Sequence, residues 1–200
     1  MKSDKFKNMS RRELAEYVWD YYKLPIIAAL FVIIVTGSLV NTFLVNPQKK
    51  PYIGLAVYGE FVDRDSIDAL GALFTTALVP EELQSGWEAV VNNFYMDGNP
   101  QIAMAMSSKF AALMMMGEID ILIASREQFY EMISGEVLLP LDSLLPPEWA
   151  DIAVMGLGID ITGGKALADC GIRLDRPVAG IAATSAQPEL ALRGIKLLLE

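Results

Sequence analysis

The stretch YIGLAVY, residues 52–58, decides the fold. It is uncharged and almost wholly apolar, and it stands between Pro51 and Gly59. A strand with one wet face alternates apolar and polar residues, whereas a strand buried on both faces reads as a continuous apolar run. YIGLAVY is of the second kind. Such strands belong to sheets covered by helices, which predicts an α/β architecture.

Moving outward, Asp65–Leu78 repeats Ile67, Leu70, Leu73 and Phe74 at helical spacing. Trp87–Tyr95 reads as a second strand. Asn99-Pro100 opens a helix, with Asn as cap and Pro at the first position, and Gly117 follows its end. IDILIA (119–124) is a third strand, and Arg126–Ser134 a further helix leading into the proline-punctuated LLPLDSLLPP. After an irregular stretch, VAGIAAT (178–184) is a fourth strand and Pro188–Leu199 a closing helix. The alternation predicts a single three-layer lobe with a mostly parallel sheet over residues 52–200.

Before the lobe, no charged side chain occurs from Leu24 to Gln48. About 20 apolar residues cross a bilayer, so residues 24–45 are expected to form one N-terminal transmembrane helix. Tyr17, Trp19, Tyr21 and Tyr22 would form the interfacial belt on its near side. No A-x-A cleavage site follows, which favours an uncleaved anchor over a signal peptide. Residues 1–23 would be a juxtamembrane helix opened by the capping box Ser10 and Glu13, with Leu14, Tyr17, Val18 and Tyr21 on one face. Lys2, Lys5, Lys7, Arg11, Arg12 and Lys23 precede the span, and only Lys49, Lys50 and Arg64 follow closely. The positive-inside rule then puts the N-terminus in the cytoplasm and the lobe outside the cell membrane, beyond a linker at 46–51.

Composition narrows the chemistry. The 200 residues include no histidine and one cysteine, Cys170, so Ser-His and Cys-His couples, intrachain disulfides and cysteine metal clusters are excluded. A net charge of −9 argues against nucleic acid as a partner. The mean hydropathy of +0.35 reflects the apolar segment and the buried strands.

Motifs that invite a site mostly fail on spacing. GLGIDITGGK (156–165) is one residue too long for a phosphate loop, and Ala166 replaces its hydroxyl. Asp63, Asp65 and Asp68 near Glu60 lack the glycine of a calcium loop and read as an acidic helix start. Met104, Met106, Met114, Met115 and Met116 share a helix and are read as core packing rather than a copper(I) site. Ser107, Ser108 and Lys109 are adjacent, and adjacent residues on a helix do not face one another. No catalytic residue, metal site or cofactor is expected.

In a parallel sheet, ligands meet the loops at the carboxyl ends of the strands. Those loops would present Tyr58, Glu60, Asp97, Asn99, Ser125, Arg126, Thr184 and Ser185 to a ligand or partner.

The stretch FAALMMMGEIDILIASREQFYEMISGEVLLPLDSLLP resembles one lobe of the extracellular (type II periplasmic) solute-binding proteins of bacterial ABC transporters. The likeness rests on Gly117-Glu118-Ile119-Asp120, leading into a strand, and on the turn Leu139-Pro140-Leu141-Asp142. GIDITGGKALADCGI and VAGIAATSAQPELALRGIKLLLE are similar to the return strand and helix of that lobe, and EYVWDYYKLPII looks like the juxtamembrane segment of small Gram-positive membrane proteins. A complete member has two lobes, and residues 147–176 leave no room for a second. The resemblance implies a membrane-anchored, non-catalytic binding or interaction module. Its expected partners are the lipid bilayer, a transporter or other membrane protein, and a second copy of itself. Two alternatives are the substrate-binding component of an ABC transporter that completes its clamp by pairing chains, and a membrane-bound hydrolase.

Overall fold

The computed structural model describes residues 11–40, 49–95 and 98–200. The chain divides into two units, Met1–Gln48 and Lys49–Glu200.

In the first unit, one helix, α1 (Arg11–Val40), runs without interruption and contains Pro25. Ser10, the expected cap, lies outside the described residues. The transmembrane expectation is overturned: among the described residues, no helix is long and apolar enough to cross a membrane. The charges of α1 continue to Lys23, so its uncharged part runs only from Leu24 to Val40. At about 1.5 Å per residue this falls short of a hydrocarbon core about 30 Å thick. Residues 41–45, the far end of the expected span, lie outside the described residues. A single-pass topology, the cytoplasmic placement of the N-terminus and a cell-membrane location lose their support with the span. Leu24, Phe31, Ile33 and Ile34 on α1 are exposed.

The second unit is built on a six-stranded sheet in the order β2-β1-β3-β6-β5-β4. YIGLAVY lies in β1 (Lys50–Gly59), whose centre is buried on both faces. After it come α2 (Arg64–Leu78), β2 (Trp87–Tyr95), α3 (Pro100–Met115), β3 (Ile121–Ala124) and α4 (Arg126–Ile133). Then follow β4 (Ala153–Val154), β5 (Gly158–Asp160), the short α5 (Ala166–Asp169), β6 (Val178–Ile181) and α6 (Pro188–Leu199).

Side-chain alternation sorts the core into two layers. Ile53, Leu55, Val57, Ile121 and Ile123 face α2, α5 and α6, where Leu70, Phe74, Leu167, Ile195 and Leu198 complete one cluster. Ala56, Leu122 and Ala124 face the other way, onto Met114 of α3 and Phe129 and Met132 of α4. Helices on both faces account for the absence of a polar face along β1 and β3.

The sheet is mixed, which corrects the expected mostly parallel one. β1 pairs parallel with β2 and β3, but β6 runs antiparallel to β3, and β5 antiparallel to β6. The reason lies between Ser134 and Pro177. Instead of one helical crossover, this segment forms a β4–β5 hairpin whose turn holds Met155 at φ 53° and Gly156 at φ 68°. Leu157 N–H donates to Val154 O across it at 3.1 Å. Positive φ at both central residues suits the right-handed twist of a tight hairpin. The chain then re-enters the sheet from the opposite end, reversing β6.

Candidate functional site at the strand-end edge

β1, β2 and β3 end at Gly59, Tyr95 and Ala124, side by side in the register. Asp160, at the end of β5, reaches the same edge, because Val178 of β6 pairs with both Ala124 and Asp160. Tyr58, Glu60, Asn99, Ser125 and Arg126 all follow or close strands at this edge. Thr184 and Ser185 do not. They follow the carboxyl end of β6, which lies beside Ile121, so strand reversal puts them at the opposite end of the sheet. Asp97 lies outside the described residues.

Several of these residues have structural partners. Half-buried Tyr58 packs at a tilt against Phe110, with centroids 5.1 Å apart, and burial followed by the charge of Glu131 pushes its phenol above the ordinary value. Exposed Glu60 is held by its backbone, its carbonyl accepting from Asn93 Nδ2 at 2.8 Å, while Asn93 Oδ1 accepts from Val62 N–H at 3.1 Å. Asn93 thus stitches the β1–α2 loop to β2. Asn99 caps α3, accepting from Gln101 N–H at 3.0 Å. Ser125 is buried at the start of α4, and its carbonyl accepts from Phe129 N–H.

Arg126 has the arrangement most suited to a ligand. Its guanidinium pairs with Asp160, and both side chains are only about a quarter exposed, at 27% and 28%. Its Nε is buried without a hydrogen-bond partner. Asp160 also accepts from Thr162 N–H at 2.9 Å. Burial acts to raise the Asp160 pKa, but the hydrogen bonds from Thr162 and the charges of Arg126 and Arg176 outweigh it and hold the carboxyl below its usual value. Beside the pair opens a cleft of about 300 Å³ walled by Tyr130, Asp151, Ala153 and Met155. The irregular stretch between α4 and β6 therefore builds one wall of this edge. Asp160 sits in GLGIDITGGK, and its partner 34 positions away gives no local signal.

A larger groove, about 470 Å³, runs along the outer side of β2 against α2, between Lys49, Asp68, Thr75 and Glu88. Thr75 Oγ1 crosses to accept from Ala89 N–H at 2.9 Å, covering part of that strand edge.

The other motifs resolve into local chemistry. Asp63 caps α2, accepting from Ser66 N–H at 3.0 Å and from its hydroxyl at 2.8 Å. Ser108 donates to Met104 O, and Lys109 donates to Asn92 Oδ1 at 3.0 Å. The half-buried Cys170 thiol is pushed up by burial and then by Asp169, away from the thiolate a nucleophile needs. Among the described residues, no three His, Cys, Asp or Glu side chains gather to hold a metal.

The methionines depart from the core-packing reading. Only Met114 is buried, whereas Met104, Met115 and Met116 are 74%, 85% and 61% exposed.

No family model, curated protein or solved structure matches this chain.

Proposed function

We propose that residues 49–200 form a non-catalytic binding module, taking a small polar solute or a partner's polar segment in the cleft beside Arg126 and Asp160. The observation that carries this reading is the part-buried ion pair on a cleft wall at the strand-end edge. The carboxyl edge of an α/β sheet is where ligands enter such folds. At about 300 Å³ the cleft is at the small end of ligand pockets, and its exposed lining is mostly polar, with Arg126, Asp151 and Asp160 converging on it. Arg126 offers planar donors to a carboxylate or other anion, and Tyr130 and Met155 offer apolar contact at the rim. The likeness of the GEID and LPLD segments to a solute-binding lobe points the same way.

The test is a thermal-shift screen of the full chain against amino acids, sugars, short peptides and small anions. A ligand at 100 times its Kd adds about 2.7 kcal/mol of stability. At least one class should shift the melting temperature, and Arg126→Gln should abolish that shift. A screen with no shift, or a shift indifferent to Arg126→Gln, overturns the proposal.

A further inference from the structure

We infer that the outer face of α3 is a two-fold contact with a second copy of this chain. The inference stands apart from the cleft. α3 has 16 residues, and its sole charged side chain, Lys109, is tied to Asn92 and sits 5.5 Å from the centre of the Phe94 ring. Ile102, Met106, Phe110 and Leu113 are half-buried and Met114 is buried, which accounts for one side of the helix. Met104, Ala105, Ser108, Ala111, Ala112 and Met115 are exposed, and none carries a charge. A solvated helix face is ordinarily charged or polar, so a face whose polar residues are only Gln101, Ser107 and Ser108 among methionine and alanine implies a cover.

Charge and symmetry identify the cover. The chain carries −9, so a cationic partner would bind where the carboxylates are, and this face holds none. Two like-charged copies meet at least electrostatic cost through their uncharged surface. Met104, Ser108, Ala111 and Met115 form one stripe with spacings of 4, 3 and 4 residues, the pattern of a helix–helix seam. Read from either end, the stripe is large, small, small, large. An antiparallel two-fold pairing therefore sets Met104 against the second copy's Met115 and Ser108 against its Ala111. The small residues let the helices approach at the centre, and the flexible thioethers fill the ends. A helix of this length is about 24 Å long and offers less area than the ~800 Å² per partner of stable complexes, so the dimer is weak and concentration-dependent.

The test is disulfide trapping in the full chain, with Cys170→Ser as background. Chains carrying Met104→Cys alone and Met115→Cys alone are mixed and oxidised mildly. In the antiparallel pair the two thiols oppose each other, whereas like positions lie about 16 Å apart, beyond disulfide reach. The mixed disulfide should dominate both like-with-like products. It should also exceed, by about tenfold, the trapping of Ala72→Cys on exposed α2, because pairing raises the effective thiol concentration. Adding Ala111→Glu to both chains should remove the excess while leaving the unfolding midpoint in place. Like-with-like products equal to the mixed one, or trapping no faster than at Ala72→Cys, overturns the inference, including where the chain associates through another surface.

Discussion

The Ser185 hydroxyl donates to the Asp120 carboxylate at 2.6 Å, joining residues 65 positions apart. The other Asp120 oxygen accepts from Gly54 N–H at 2.9 Å, and its backbone accepts from Ala182 N–H. One buried side chain thus ties β1, the entry to β3 and the turn between β6 and α6. Asp120→Ala would leave the Gly54 N–H and the Ser185 hydroxyl without their acceptor. Bonds to charged groups contribute about 1.5–3 kcal/mol each, so a loss of about 3–6 kcal/mol is expected in urea unfolding. Ser185→Ala, which removes one of the two, should cost about 1.5–3 kcal/mol. A loss below 1 kcal/mol for Asp120→Ala would show that water can take the carboxylate's place.

Beside Asp120, a glycine is dictated by space. A Cβ on Gly54 would stand 1.8 Å from Glu118 O and 2.8 Å from Glu118 C. Both are backbone atoms of the turn entering β3, so no rotamer change relieves the clash. Gly54→Ala should therefore cost at least about 3 kcal/mol, at or above the usual range for overpacking. Denaturation of the variant beside Gly86→Ala, which meets no neighbour within 4 Å, measures the difference.

Adjacent methionines should respond oppositely to truncation. Met114→Ala, in the cluster with Phe94 and Phe129, should cost about 2–5 kcal/mol. Met115→Ala should change stability by less than about 0.5 kcal/mol, because the side chain is 85% exposed. Equal losses at low protein concentration would place Met115 in a core, against its exposure.

These residues show which features a sequence carries. YIGLAVY and IDILIA were legible because burial on both faces suppresses every polar position, and the Asn99-Pro100 cap marked the start of α3. VAGIAAT was equally legible as a strand, but a strand's composition holds no direction. Direction came from a hairpin with strands of two and three residues, too short to establish a period, turned through Met155-Gly156 instead of an Asn-Gly signal. Thr184 and Ser185 were misplaced for that reason alone. Helical spacing gives the axis of a buried stripe but not its width, which is why Met104 and Met115 read as core. Asp160 became part of a site only when folding brought Arg126 to it.

The Arg126–Asp160 pair has a pH signature that separates it from simple packing. In the folded chain the Asp160 carboxyl lies below its usual value, so the native state binds this proton less readily than the unfolded state. The stabilisation is then complete above the unfolded value of about 3.9, and it is lost as pH falls through the folded value. Asp160→Asn keeps the shape and removes the titration. Near pH 6 the variant should be less stable by on the order of 1 kcal/mol, as expected of a partly exposed pair. The gap should narrow as pH falls below about 4, approaching zero once both states of the wild-type residue are protonated. Urea unfolding midpoints of the two proteins between pH 6 and pH 2.5 measure this. The absence of any gap across that range would mean that side-chain shape, rather than carboxylate charge, holds β5 against α4.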